Sequence, residues 1–102
     1  MARYTVIPAS RVDSQLLRHI RFLGKVSLPA ARRFRMEYSA LLDRLEENPF
    51  QFPPDTDPNL PEGLYRKALF ARWYKVLFMV EDKTVYLDAV VDCRQSADAY
   101  DL

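Results

Sequence analysis

Three cations and a phenol in the second half of the chain have the types and spacing that could do chemistry. Arg66, Lys75 and Arg94 fall on three successive predicted strands, and Tyr100 follows Arg94 by six residues. Cationic groups stabilise the negative charge that develops on a reacting phosphate, and a phenol can help to move a proton. The set therefore suits cleavage of a phosphodiester without a metal ion. The competing interpretation is that these cations form ordinary cross-strand ion pairs with aspartates on the same face.

Four further residues could hold a nucleic acid beside these groups. Lys67 and Arg72 are basic, and Trp73 and Tyr86 carry rings on which a base can stack. The same rings could equally well cover the sheet. Lys67 reaches this surface only if its strand is turned by one residue from the register favoured below.

The elements that must position these residues follow from the hydrophobic pattern. Residues 3–8 alternate as a strand, and from Ser10, a possible N-cap, apolar residues recur at helical spacing until a stop at Gly24. A second helix is expected from a cap at Ser27 to Asn48, where a proline follows. So short a connection predicts an antiparallel helical hairpin.

The second half of the chain predicts a sheet. Residues 48–63 hold five of the seven prolines and are expected to form an irregular loop without helix or strand. Strands are expected at 64–70, 73–80 and 84–94, joined by short turns that favour antiparallel pairing. The sequence thus predicts a single α+β domain over residues 1–102, of order β-α-α-β-β-β. Its helical hairpin is expected to pack on one face of a small, mainly antiparallel four-stranded sheet.

Alternation along each strand assigns its two faces. The helix-facing side chains are expected to be Val85, Leu87, Ala89, Val91 and Cys93 in the last strand, and Tyr74, Val76, Phe78 and Val80 in the strand before it. The opposite, open face is expected to carry Leu64, Arg66, Ala68, Phe70, Trp73, Lys75, Leu77, Met79, Tyr86, Asp88, Val90, Asp92 and Arg94. In this register the three candidate cations converge on one uncovered surface.

Composition limits the class of protein. The 102 residues are 49% hydrophobic and 28% charged, which is typical of one globular domain. No apolar run approaches the roughly 20 residues of a membrane span, and the N-terminus lacks the apolar core of a signal peptide, so a cytoplasmic protein without a membrane partner is expected. Cys93 is the only cysteine, which excludes an internal disulfide. His19 has no second histidine near it, and no catalytic role is expected for it.

The net charge of +1 conceals a segregation of charge along the chain. Residues 11–35 hold seven cations and one acid, and residues 64–80 hold four cations and no acid. Between them, residues 43–62 hold six acids and one cation. Local positive fields of this kind can attract phosphate, although a solvated helix face is the plainer interpretation of the first block.

Four segments together resemble a known family. They are "AARRF" at the start of the second helix, "NPFQFP" after it, "YRKALFARWYKVLFMVED" and the closing "VVDCRQ". Their order and spacing resemble the RelE/ParE superfamily, the toxins of type II toxin–antitoxin systems. The resemblance spans nearly the whole chain and implies the fold given above.

RelE-like members of this superfamily cleave messenger RNA in the ribosomal A site. The resemblance implies metal-free attack by the RNA 2′-OH on the adjacent phosphate, which leaves a 2′,3′-cyclic phosphate. Arg94 and Tyr100 match, in type and spacing, an arginine that ends the last strand and a tyrosine six residues beyond it. Arg66 matches a basic strand position, Lys75 stands where arginine is usual, and Ala68 stands where a second basic residue is frequent. The implied roles are charge stabilisation by Arg94 and Arg66, assistance by Lys75, and proton transfer or nucleotide orientation by Tyr100.

The resemblance leaves two other functions open. ParE-like members inhibit DNA gyrase without any chemistry of their own, and a degenerate antitoxin-binding module would share the fold. All three imply a small cognate antitoxin protein as a partner, lying over the basic open face or the helical hairpin. The RelE-like function adds messenger RNA and the ribosome as partners, and no metal or cofactor is implied.

Overall fold

The structure, a computed structural model, describes residues 3–94. Its elements are β1 (Thr5–Pro8), α1 (Ser10–Val26), α2 (Leu28–Glu47), β2 (Arg66–Phe70), β3 (Tyr74–Glu81) and β4 (Thr84–Asp92). The four strands form one sheet in the order β1-β4-β3-β2, in which β1 runs parallel to β4 and the other pairs are antiparallel. The predicted α+β fold, with two helices against a mostly antiparallel sheet, is confirmed.

The helical hairpin is formed by α1 and α2, which are separated by Ser27 alone. The Ser27 hydroxyl accepts a hydrogen bond from the Ala30 backbone N–H at 3.3 Å, as expected of a helix N-cap. The predicted limits of α1 are wrong at both ends. Ser10 is already helical, with Ala9 as the cap residue, and the helix continues through Gly24 to Val26. A glycine inside a helix costs only about 1 kcal/mol of stability, so Gly24 does not end the helix. The helix ends two residues later, at Val26.

One face of the sheet packs against the helices and forms the main core. Its largest fully buried members are Tyr74, Phe34, Phe78, Leu41, Leu45 and Leu87. None of the helices within residues 3–94 is long and apolar enough to cross a membrane. The prediction that residues 48–63 hold no helix is wrong in one detail, because Pro49–Gln51 form a single 3-10 turn.

A β-bulge in β4 reverses the predicted faces at the end of that strand. Leu77 pairs with Ala89, but the next residue of β3 pairs with Leu87, so Asp88 is an extra residue in β4. Before the bulge, Val85 and Leu87 face the helices as predicted. After it, Val90 and Asp92 do so, whereas Ala89 and Val91 join a second cluster on the open face and Cys93 is exposed. A bulge shifts the pleat by one residue, which exchanges the two faces beyond it.

The predicted register of β2 is also wrong by one residue. Arg66, Ala68 and Phe70 pair with Phe78, Val76 and Tyr74, all of which face the helices. The open face of β2 therefore carries Lys67 and Leu69 instead. Part of the open face is covered, since the side chains of Leu60, Tyr65, Leu77, Ala89 and Val91 form a second apolar cluster there.

At both edges of the sheet, segments that are not strands bind the backbone groups that the strands leave unpaired. β1 accompanies β4 only as far as Leu87, and α1 takes over beyond it. The Gln15 Oε1 atom accepts a hydrogen bond from the Val90 N–H at 2.8 Å, and His19 Nε2 lies 3.0 Å from the Val90 carbonyl. On the other side, the Lys67 N–H donates to the Pro53 carbonyl at 3.0 Å. These contacts satisfy backbone groups that would otherwise be left open at the sheet margins.

Candidate functional site

The structure separates the candidate catalytic residues rather than gathering them. Arg66 faces the helices, where its Nη1 atom donates to the Phe52 carbonyl at 2.7 Å and its guanidinium carbon lies 5.0 Å from the centre of the Phe50 ring. Lys75 lies on the open face, as predicted, and Arg94 lies just beyond the end of β4. Tyr100 lies outside the described residues.

The positions of their partners along β3 show that Arg66 and Arg94 lie far apart. Arg66 pairs with Phe78, whereas Asp92, two residues before Arg94, pairs with Tyr74. Phe78 and Tyr74 are separated by about 13 Å along a strand. Because Arg66 also points to the helix side, the convergence of Arg66, Lys75 and Arg94 on one open surface is a prediction that the structure contradicts.

Lys75 is held in a buried ion pair. Its Nζ atom lies 2.6 Å from Asp55 Oδ2, and the two side chains are only 8% and 2% exposed. Asp55 belongs to the proline-rich loop, so the pair fastens this loop onto the open face of the sheet. An ammonium group whose charge is already matched and shielded from solvent is a poor candidate for binding a substrate phosphate.

Arg94 is oriented by the buried carboxylate of Asp92. Its Nε atom donates to Asp92 Oδ1 at 3.1 Å, its Nη2 atom to Oδ2 at 2.8 Å, and its backbone N–H to Oδ1 at 2.9 Å. These hydrogen bonds hold the pKa of the Asp92 carboxyl below its ordinary value, against the opposing effect of burial. The Arg94 side chain is still 46% exposed, and its Nη1 amino group is not used by Asp92.

Two guanidinium groups flank an exposed indole at this end of the sheet. The guanidinium carbon of Arg94 lies 5.2 Å from the centre of the Trp73 ring, and that of Arg72 lies 5.4 Å from it. Trp73 is 43% exposed. We call the group formed by Arg72, Trp73, Asp92 and Arg94 the strand-end site. It combines cations with a stacking surface, as sites for single-stranded nucleic acid do.

The turn between β2 and β3 positions this site. Residues 71–73 form a three-residue turn, in which Ala71 and Arg72 have φ values of 48° and 70°, in the left-handed region. The Ala71 N–H donates to Glu37 Oε1 at 3.1 Å, which anchors the turn to α2. The Cys93 N–H then donates to the Trp73 carbonyl at 2.6 Å and draws the end of β4 towards the indole. Non-glycine residues adopt this conformation at a cost of about 1 kcal/mol each, so the surrounding contacts must impose it.

Behind the strand-end site lies a buried tyrosine with an unusual hydroxyl. Tyr74 is 1% exposed, and its ring meets those of His19 and Phe34 edge-on at 4.9 and 4.8 Å between centres. Its hydroxyl oxygen is buried and makes no hydrogen bond within residues 3–94. Burial raises the pKa of Tyr74, and the charge of Asp92 raises it further. Burial also lowers the pKa of His19, which favours the neutral form of this imidazole.

The remaining candidates for RNA binding lie away from this group. Lys67 is half-buried on the open face, and Tyr86 pairs with Met79 near the opposite end of β4. The open face also holds a hydrogen bond from the Tyr65 hydroxyl to Asp88 Oδ2 at 2.8 Å. Burial and this bond raise the pKa of Tyr65 to about 12.

Of the residues singled out from the sequence, the structure brings three together, namely Arg72, Trp73 and Arg94. The competing interpretation from the sequence, an ion pair between Arg94 and an aspartate, is what Asp92 makes, but its role in orienting Arg94 was not predicted. Tyr74 was predicted to face the helices, and it does, but no role at the site was predicted for it. The Asp-x-Arg spacing at the end of a strand was the available signal for the role of Asp92. No group of three or more histidine, cysteine, aspartate or glutamate side chains within residues 3–94 is placed to hold a metal ion.

Comparison with known proteins adds no assignment to this geometry. The chain matches no protein-family model, and it matches no curated protein sequence at a significant level. The fold and the strand-end site are therefore what support a functional proposal.

Proposed function

We propose that this chain is the toxin of a type II toxin–antitoxin system and acts as a RelE-like endoribonuclease on messenger RNA at the ribosome. The observation that carries the proposal is the strand-end site, where Arg94 is oriented by Asp92 and shares the exposed ring of Trp73 with Arg72. The order of elements is also the one that the resemblance to RelE/ParE toxins implies.

The proposed chemistry needs charge stabilisation more than any other contribution. The RNA 2′-OH attacks the adjacent phosphorus, its proton leaves to a base, and the 5′-oxygen of the next nucleotide departs with a proton, so that a 2′,3′-cyclic phosphate remains. Arg94 pairs with the phosphate through the exposed part of its guanidinium group. Arg72 takes the place first expected for Arg66 and Lys75. Trp73 stacks on a neighbouring base. The proton-transfer role implied for Tyr100 stays a prediction.

The orientation of Arg94 matters because a guanidinium contributes most when it is fixed before the charge develops. Asp92 is buried and accepts three hydrogen bonds from Arg94, so it holds the head group in one position. Its negative charge also weakens the field of Arg94 at the phosphate. Arg72, which makes no ion pair with a described carboxylate, offsets this loss.

A bacterial cell-free translation reaction with purified protein tests the proposal. The wild type should produce new messenger 5′ ends that depend on the ribosome, and Arg94→Ala should abolish them. Lys83→Ala is the matched control, since it removes one cation at the opposite end of β4, where Lys83 lies 5.1 Å over the Tyr4 ring. Intact messenger and normal translation with the wild-type protein would exclude the RNase function.

A ParE-like inhibitor of DNA gyrase is the second candidate, and one observation favours it. Arg66 and Lys75 are both engaged by protein groups, so fewer cations are left for phosphate chemistry than the RelE-like function implies. An inhibitor that only binds needs no such cluster. A gyrase supercoiling assay distinguishes the two, because the wild type should inhibit supercoiling only if this second function holds. Either function implies an antitoxin, and we expect an acidic segment of it to cover Arg72 and Arg94.

A further inference from the structure

The Tyr74 hydroxyl is a buried polar group that makes no well-formed hydrogen bond within residues 3–94. Buried hydroxyls are normally hydrogen-bonded, because an unpaired one loses its hydration without compensation. Tyr65 shows the usual arrangement in this same chain, since its hydroxyl donates to Asp88 at 2.8 Å. Tyr74 is the more deeply buried of the two, at 1% against 8% exposure, and its hydroxyl still makes no hydrogen bond in the described part of the chain.

The surroundings of Tyr74 prevent it from finding a partner by rotation. Its ring is fixed by edge-on contacts with His19 and Phe34, and further contact with Phe70 lies at 6.0 Å between ring centres. A buried ring held on several sides has one orientation of its hydroxyl relative to the sheet. The oxygen therefore stays where the fold places it, and the partner must come to it.

The position of this hydroxyl relates it to the strand-end site. Tyr74 follows Trp73 directly and is the cross-strand partner of Asp92, the residue that orients Arg94. Arg94 lowers the pKa of the Tyr74 phenol by its positive charge and by a weak hydrogen-bonding contact that is poorly aligned. The larger effects, of burial and of Asp92, keep the phenol protonated at neutral pH, so it can donate a hydrogen bond.

We infer that Tyr74 and Arg94 together form a site for a phosphate group, in which the Tyr74 hydroxyl donates a hydrogen bond to a phosphate oxygen and the guanidinium pairs with its charge. The inference rests on the proposed function insofar as Arg94 is the arginine that meets RNA phosphate. It adds a second, neutral donor behind that arginine. Tyr74 is thus a binding residue, which fixes where the phosphate sits relative to the Trp73 ring.

Access to the buried hydroxyl requires a side chain to move. Arg94 is the neighbour with the freedom to do so, because its side chain is 46% exposed. Asp92 and His19 are both buried, with exposures of 5% and 9%. When a phosphate draws the Arg94 head group outward, the Tyr74 hydroxyl becomes accessible. A phosphate oxygen then takes the place of the Arg94 side chain and accepts the hydrogen bond from this hydroxyl.

The test is titration of the purified, full-length protein with inorganic phosphate at constant ionic strength, followed by the NMR signal of the Trp73 indole. Tyr74→Phe should weaken phosphate binding by about tenfold or more, because a hydrogen bond to a charged group is lost. Its midpoint of thermal unfolding should be equal to that of the wild type or higher, since the variant removes no well-formed hydrogen bond within residues 3–94. Tyr65→Phe is the matched control, and it should bind phosphate normally but unfold at a lower temperature.

The two measurements separate a phosphate site from a structural role. Equal phosphate binding by Tyr74→Phe and the wild type would overturn the inference, and so would absence of phosphate binding by the wild type. A loss of thermal stability in Tyr74→Phe like that in Tyr65→Phe would show that the hydroxyl has a partner in the free protein, and this would also overturn it. The proposed function is judged separately, because it depends on messenger cleavage and not on phosphate binding.

Discussion

Lys75→Met is the substitution whose effect can best be worked out from the structure. It removes the charge of Lys75 but keeps an unbranched side chain of similar length on the open face. Asp55, whose side chain is 2% exposed, is then left as a buried carboxylate without its cation. Breaking a buried ion pair by removing one partner costs about 3–5 kcal/mol. We expect the lower end, about 3 kcal/mol, because Asp55 also accepts a hydrogen bond from the Asp57 N–H at 3.0 Å.

Asp55, the other residue of the ion pair, provides a check on this reasoning. In the double variant Lys75→Met with Asp55→Asn, no uncompensated charge remains, and asparagine can still accept the hydrogen bond from Asp57. The double variant should therefore be more stable than Lys75→Met alone by about 1–2 kcal/mol. A gain of this sign is expected if the unpaired, buried carboxylate of Asp55 is what destabilises Lys75→Met.

Urea denaturation followed by circular dichroism measures both variants. A loss of about 3 kcal/mol corresponds to a fall of roughly 12–24 °C in the unfolding midpoint of a domain of this size, with an unchanged dependence on urea. Translation inhibition by Lys75→Met, assayed well below its unfolding temperature, should remain. Stability within about 0.5 kcal/mol of the wild type, together with lost inhibition, would refute the reasoning and place Lys75 in the chemistry.

Three further predictions concern α1, α2 and the end of β4. Burial lowers the pKa of His19, so its contribution to stability is complete above its unfolded value of 6.5 and is lost as the pH falls through the lower folded value. His19→Gln keeps a donor but cannot titrate, and its unfolding free energy should vary less than that of the wild type between about pH 7 and about pH 5. Ser27→Ala removes the N-cap of α2 and should cost about 1 kcal/mol in thermal unfolding, whereas Ser27→Asp should restore most of this. Asp92→Asn should release the Arg94 head group and change the fluorescence of Trp73, the only tryptophan in the chain; unchanged emission would contradict the proposed orientation.

The order and type of the main elements could be predicted because each is specified locally. The apolar period changes between helices and strands, and Ser27 marks the start of α2 by a contact that its own neighbours supply. The faces of the strands could not be predicted as well. In β2 both faces mix polar and apolar residues, so a shift by one residue is not penalised by the pattern.

Two errors of register, at the β-bulge in β4 and in β2, also made the prediction of the candidate site wrong. The bulge at Asp88 leaves no mark in the hydrophobic alternation, since apolar residues stand at 89, 90 and 91 alike. The pairing of Lys75 with Asp55 joins residues from two elements across a loop whose path no local rule determines. What could be predicted was that Trp73 and Arg94 share one surface, and their contact at 5.2 Å agrees with this, although β4 ends at Asp92 and not at Arg94 as expected.

The margins of the sheet determine how another chain can approach it. Thr5 and Ala9 direct their N–H groups to β4, so alternation turns Val6 and Pro8 outward, and proline has no N–H to offer. The far margin is lined by residues 53–55, of which two are prolines. Strands of neighbouring molecules therefore find few donors along either margin. We expect the isolated protein to resist edge-to-edge polymerisation. The strand-end site can therefore stay exposed without making the protein prone to form fibres.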